Sequence, residues 1–284
     1  MNRKILPLFI VFLLSFSTLY CQKFPFGKLK KGASLVGGAT REISEEEEYF
    51  IGRAVAANIL SQFSLLKDQT FSGYLNTLGS TLAFRSQRPE VYGGYHFALL
   101  DSEEANALSA PGGVIFITKG LLRITSTEDE LAAVIAHEIA HIVAKDPLKA
   151  IRSERVKQLG AFTAGEVMES QGASGNMMDL FQNSILDITG TLLQKGYSRG
   201  QEKEADLAAI ALLRETGYDP SALLSVLKKI EEASGKPKAK VLSAHPPAKE
   251  REKYVQKALE GETPQVEQPE RRQRYSAAKR ALGL

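Results

Sequence analysis

The stretch from Thr127 to Ile142 limits what this chain can fold into more than any other. Leu131, Ala132, Ala133, Val134, Ile135, Ala136, Ile139, Ala140 and Ile142 make it apolar nearly all round, so as a helix it belongs inside a domain. Thr127 and Glu130 form the T-x-x-E pattern that opens such a helix. Its interior polar residues are His137, Glu138 and His141, and buried polar groups without partners are costly. His137 and His141 stand four apart, which puts both imidazoles on one helical face. The sequence is H-E-x-x-H: two imidazoles able to converge on one ion, with a carboxylate beside them. Half of the chain's 4 histidines lie in this one turn. The bland alternative is a core helix whose histidines merely hydrogen-bond to their surroundings.

The flanking segments predict an α+β fold, mainly helical, with a small β-sheet beside the H-E-x-x-H helix. Ser44 and Glu47 form a capping box, followed by the apolar face Phe50, Ile51, Val55, Ile59 and Phe63. The acidic run Glu45–Glu48 reads as a solvated first turn. A second helix is expected over Phe71 to Phe84. Tyr95–Leu100 and Val114–Thr118 read as strands, with Asn106-Ala107-Leu108 and the turn Pro111-Gly112-Gly113 between them. A strand edge beside the metal helix can hold an extended peptide, so Asn106 and Ala107 are candidate substrate-binding residues. Helical pattern resumes near Asn183 and continues through Glu202 to Leu213, closed by Gly217; Asp219-Pro220 starts the next helix. Residues 146 to 200 are less regular, and lid and plain surface insertion are equal readings of their middle.

Two histidines leave tetrahedral zinc one protein ligand short. Glu202 and Asp206 share a helical face 61 or more residues beyond His141, while Glu204 points elsewhere. Glu202 is therefore the expected third ligand of one Zn²⁺ per chain. Asp206 is the expected acceptor for the far N–H of a metal-bound imidazole. Glu138 is the expected catalytic base.

Arg3 and Lys4, the apolar run Ile5 to Leu14 and the following serines read as an export signal ending near Cys21. An uncleaved anchor helix is the rival reading. Cys21 is the single cysteine, so no intrachain disulfide can form. Its place predicts either a lipidated N-terminus, and with it membrane association, or ordinary cleavage. The expected division is an export signal at 1–21, a linker at 22–43, a zinc metallopeptidase domain at 44–261 and a C-terminal tail at 262–284. A net charge of +3 argues neither for nor against nucleic acid, and no nucleic-acid partner is expected.

The run HEIAH, then Ser198-Arg199-Gly200-Gln201-Glu202-Lys203-Glu204-Ala205-Asp206, then His245-Pro246, resembles the gluzincin metallopeptidases of the HtpX and CAAX-prenyl-protease type. Export and the lack of several membrane spans make it similar to their periplasmic BepA-like and LoiP-like branch. Glu104-Ala105-Asn106-Ala107, Pro111-Gly112-Gly113 and Thr118-Lys119-Gly120-Leu121 share the likeness, which covers roughly residues 44 to 255. The resemblance implies a zincin-like domain, zinc on His137, His141 and Glu202, and Glu138 as base. It implies a zinc endopeptidase in a bacterial cell envelope, working on misfolded or outer-membrane proteins in quality control. Residues after 262 leave no room for an array of helical repeats.

His245 and Arg251 are further candidates for the catalytic set. His245 has three readings: a surface-loop residue, a donor to the oxyanion with Arg251 as alternative or helper, or an occupant of zinc's fourth position that holds the enzyme off. The resemblance at His245-Pro246 favours a place at the active site. Two rival functions stand beside the peptidase. One is an envelope chaperone or assembly factor with a largely closed site. The other is a zinc hydrolase of non-peptide amides.

Overall fold

A computed structural model describes residues 43–149, 182–183, 185–234 and 245–284. The export signal with Cys21, most of the linker, the candidate lid and the segment just before His245 lie outside the described residues. The helices are α1 (Glu45–Gln62), α2 (Gln69–Phe84), α3 (Lys119–Ile124), α4 (Glu128–Val143), α5 (Arg199–Thr216), α6 (Ala222–Ser234), α7 (Ala248–Ala258) and α8 (Pro269–Ala281). The strands are β1 (His96–Leu100), β2 (Ala107–Ala110) and β3 (Val114–Thr118). The fold is thus α+β and mainly helical, with its small sheet next to the metal helix.

The sheet has three strands, in the order β1-β3-β2, rather than the expected pair. β1 runs parallel to β3, and β2 antiparallel to it. Ala107–Ala110 has small side chains and weak strand propensity, so pairing rather than propensity makes it a strand. Thr118 sets the register: its N–H donates to Asn106 O at 3.0 Å, and Asn106 N–H donates to Thr118 Oγ1 at 2.9 Å. The outer edge of β1 is partly closed, because Leu66 N–H donates to Leu99 O at 2.9 Å. The sheet edge beside the metal helix is therefore β2.

The capping box of α1 forms in both directions, Glu47 N–H to Ser44 Oγ and Ser44 N–H to Glu47 Oε2. The acidic run is not all solvated, however. Glu48 is buried, takes two hydrogen bonds of 2.9 Å from Arg88 and accepts Gly112 N–H at 3.1 Å. Helix α1 crosses the Pro111–Gly113 turn at Gly52, where a Cβ would lie 1.7 Å from Pro111 O. This close crossing fixes the turn that ends β2.

Helix α4 is the centre of the core. Leu131, Ile135 and Ile139 are fully buried, and α5 is its most extensive neighbour. Thr127 caps it as expected, but Glu130 returns its carboxylate to Ser126 N–H (2.6 Å) rather than to Thr127. The expected continuous helix from Asn183 to Leu213 is broken. A π-helical turn at Thr191–Lys195 runs into Gly196, whose φ of 71° and ψ of 178° suit only glycine. Ser198 and Gln201 then form a new capping box that opens α5.

The segment 262–284 does not extend away as a tail. Tyr275 of α8 is buried, with its hydroxyl 2.6 Å from Thr125 Oγ1. Arg271 reaches Asp129 at 2.8 Å, and Arg274 pairs with Glu128. These arginines neutralise buried carboxylates at the positive end of α4.

Candidate metal centre

Helix α4 places His137, Glu138 and His141 deep in the domain, and α5 brings Glu202 and Asp206 against them, all buried. The capping box at Ser198 sets where α5 begins. Glu202 therefore falls in its first turn, with Asp206 one turn later on the same face. His137 Nε2 and His141 Nε2 are 3.1 Å apart. Glu202 Oε2 lies 3.6 Å from His137 Nε2, and Glu202 Oε1 lies 3.6 Å from His141 Nε2. With His245 the group offers four donor atoms within 4.8 Å of one another.

The far side of each ring fixes its tautomer. His137 Nδ1 is 2.9 Å from Asp206 Oδ1, and His141 Nδ1 is 2.8 Å from Asp146 Oδ2. Each Nδ1–H thus donates to a carboxylate, and once both rings are neutral each Nε2 presents a lone pair to the other. Two acceptors 3.1 Å apart cannot hydrogen-bond to each other, whereas a cation between them turns both into ligands. Glu202 Oε2 is buried and makes no hydrogen bond among the described residues, although Arg251 Nη1 is 3.2 Å away. Two neutral imidazoles and a carboxylate are the donor chemistry of zinc, so the residues fit that ion.

Electrostatics treat the two rings differently in the metal-free site: His137 is a ready neutral ligand, whereas His141 holds a proton that zinc would displace. Burial and the Arg251 cation hold the His137 imidazole below its ordinary value, which keeps it a neutral ligand. For His141 burial acts downward, but hydrogen bonds to Asp146 and Glu202 and the Glu138 charge lift it to about 9. The two rings differ because Arg251 stands beside one and carboxylates surround the other. Burial opposes ionisation of Glu202, yet His245, His141 and Arg251 hold its carboxyl far below the usual range.

Asp206 accepts four hydrogen bonds: Arg251 Nε (2.9 Å) and Nη2 (2.6 Å), Tyr254 Oη (2.7 Å), and His137 Nδ1. The guanidinium of Arg251, expected as an oxyanion donor, is thus bound to Asp206 by two nitrogens and faces Glu202 with the third. Its geometry is that of a positioning group. His245 lies in the site rather than on a surface loop. Its Nδ1 is 2.7 Å from Glu202 Oε1, and its Nε2 is 3.6 Å from Glu138 Oε1. Asn106 and Ala107 line the same cavity as His137 and Glu138.

The reading of the sequence missed Asp146, Gln201 and Tyr197. Asp146 also accepts from Lys149 Nζ (2.7 Å) and Gln201 Nε2 (3.0 Å), so Gln201 ties the start of α5 to the metal helix. Burial opposes ionisation of Asp146, but these partners and His141 bring its carboxyl down to about 2. Lys145 has a φ of 54°, and this left-handed turn swings Asp146 back under His141. Helical spacing does not reveal such a residue. Tyr197 stacks on the His141 ring, with centroids 4.1 Å apart. An aromatic just before the Ser198 cap was the available signal.

Comparison with known proteins agrees. The model of Peptidase family M48 matches residues 71–259. The chain is 31% identical over 202 residues to the beta-barrel assembly-enhancing protease of Yersinia pestis, covering 69% of this chain and 40% of that protein. It is 31% identical over 232 residues to the mitochondrial metalloendopeptidase OMA1 of Arabidopsis thaliana, covering 80% of this chain and 44% of that one. It is 25% identical over 154 residues to the metalloprotease LoiP of Escherichia coli, covering 54% and 58%. The chain therefore spans about two fifths of the first relative's length.

Proposed function

The chain belongs to peptidase family M48, and on that premise we propose that it is an exported zinc endopeptidase acting on proteins of a bacterial cell envelope. Zinc is the cofactor. The observation that carries the reading is the convergence of His137 Nε2, His141 Nε2 and the Glu202 carboxylate beside Glu138, at a cavity edged by Asn106 and Ala107.

When bound, zinc supplies Lewis-acid polarisation of the scissile carbonyl and acidifies the attacking water. His137, His141 and Glu202 would hold it, with Asp206 and Asp146 orienting the two rings. Glu138 takes the water's proton and passes it to the leaving amine. One of its oxygens, Oε2, is buried with no hydrogen-bond partner among the described residues, which leaves it open to accept that proton. Arg251 is a positioning residue that holds Asp206 and Glu202 together. In an antiparallel ladder alternate residues face outward, and Asn106 is tied to Thr118. Ala107 therefore offers its backbone groups to an added substrate strand, and Asn106 offers its carboxamide.

The export signal supports an envelope location, and Cys21 supports lipidation as the anchor. No helix of the described residues is long and apolar enough to cross a membrane. The name of the Yersinia relative, a beta-barrel assembly-enhancing protease, supports beta-barrel proteins as the substrate class, and the family resemblance supports quality control as the setting. Residues 44–261 form the proposed catalytic domain, with α8 as its strap.

A second reading, a chaperone with a largely closed site, is favoured by His245, which sits on Glu202 and near Glu138. One assay separates the two. Casein or an unfolded outer-membrane protein is offered to the purified mature chain with zinc. Cleavage by the wild type, lost in Glu138→Gln with zinc retained, supports the peptidase. Binding of the same protein without cleavage supports the chaperone.

A further inference from the structure

Strand β2 has few means of holding itself in place. It is four residues long, and three of them are Ala or Ser. β3 pairs with one side of it, and among the described residues no strand pairs with the other. A short edge strand of small side chains frays unless its ends are tied. Thr118 ties the first end, through its N–H to Asn106 O and its Oγ1 to Asn106 N–H. The last end runs into the Pro111–Gly113 turn, and there the tie is a carboxylate from α1.

That carboxylate is Glu48, in the first turn of α1 and only 1% exposed. Its Oε1 accepts Gly112 N–H at 3.1 Å and Arg88 Nη1 at 2.9 Å, and its Oε2 accepts Arg88 Nη2 at 2.9 Å. The guanidinium grips both oxygens, which fixes the plane of the carboxylate and aims one lone pair of Oε1 at the turn. The backbones of α1 and the turn are in close contact here, since a Cβ on Gly112 would lie 2.9 Å from Tyr49 Cα. A buried ion pair adds little net stability over apolar residues of similar volume, so stability alone does not account for this one.

We propose that Glu48, oriented by Arg88, is a positioning residue for the substrate. By holding Gly112 it fixes the β2 edge in the place where an extended peptide is received, and it takes no part in bond breaking. The proposal rests on the peptidase reading above. An added strand gains affinity from aligned main-chain bonds, so the outward groups of Ala107 must be in place before the peptide arrives. Without the tie, the last end of β2 is free to move, and ordering it becomes part of the cost of binding. Lys145 Nζ also approaches Glu48 Oε2, at 3.9 Å, but its side chain is 44% exposed and the pair is weak. Lys145 precedes Asp146, so zinc affinity reports whether the carboxylate acts on that side instead.

The test compares two double variants that both lack the ion pair. Arg88→Met with Glu48→Gln keeps a carbonyl for Gly112 N–H, and Arg88→Met with Glu48→Leu does not. On fluorescein-labelled casein the zinc-loaded Leu variant should show a KM about 3–10-fold above that of the Gln variant, the worth of one hydrogen bond, with equal kcat. Zinc affinity, read by chelator competition, should be the same in both. Arg88→Lys keeps the charge but loses the two-pronged grip, and should raise KM over the wild type by a smaller factor; it carries the test if the Leu variant does not fold. Equal KM across these comparisons, or a drop in zinc affinity that matches the loss of kcat/KM, would overturn the role of Glu48 and leave the peptidase standing. Casein left uncut by the wild type would overturn the peptidase reading and this proposal with it.

Discussion

Replacing Asp206 by Asn tests the architecture of the metal centre more sharply than removing a ligand. The side chain keeps its shape but loses its charge. Four donors now converge on it, and an amide can accept from only one of its two ends. At least one of Arg251, Tyr254 and His137 must then face an N–H with its own. Arg251 is also left buried with Glu202 as its remaining anion. Breaking one arm of such a buried network costs about 3 kcal/mol, the low end for a pair because Glu202 persists. For a domain of this size that is a fall in Tm of about 6–12 °C. Separately, His137 loses the carboxylate that fixes its tautomer, and zinc affinity should fall about 10–100-fold. Scanning calorimetry of the metal-free chain reads the first term, and competition with a chromogenic chelator reads the second. Tyr254→Phe is the control: it removes one hydrogen bond to Asp206, about 1 kcal/mol or 2–4 °C, and leaves zinc affinity near wild type. A metal-free Asp206→Asn chain melting with the wild type, and holding zinc equally well, would refute this account.

Asp146→Ala should lower zinc affinity about 10–100-fold, as for Asp206, while Gln201→Ala does so more weakly; chelator competition equal to the wild type in both variants would show that His141 needs no anchor. Glu138→Gln should keep full zinc content and lose turnover, checked by metal analysis of the same sample used for the casein assay. His245→Ala separates its two roles: faster proteolysis with self-cleavage marks an occupant that holds the enzyme off, slower proteolysis with zinc retained marks a catalytic donor, and an unchanged rate excludes both. Tyr275→Ala should destabilise the chain by about 3–5 kcal/mol, read by urea titration, because it empties a fully enclosed aromatic site; a loss below 1 kcal/mol would return α8 to the status of a loose appendage.

The residues legible in the sequence are those whose relation is helical. His137, His141, Glu202 and Asp206 follow from a spacing of four within each helix, and their meeting follows from the H-E-x-x-H motif lacking a third ligand and from the family resemblance. Asp146 was hidden because its approach depends on one left-handed residue, Lys145, and backbone conformation at a single lysine has no compositional sign. β2 was hidden because Ala-Leu-Ser-Ala becomes a strand only once Thr118 is present to pair with it. The packing of α8 against the domain was hidden for a related reason. Its arginines look solvated until Glu128 and Asp129, some 140 residues earlier, are seen to need them. Charge on a helix tells its environment only when the partner is local.

The order in which the chain is made bears on the long span between His137 and Arg251. A nascent polypeptide carries the H-E-x-x-H helix well before α5 exists, and α5 before α7. At that stage two imidazoles have no carboxylate across from them, and Asp206, once made, has no guanidinium to hold it. The hydrolytic centre is consequently a late product of synthesis. A half-finished chain therefore lacks the assembled centre and is chemically harmless to itself.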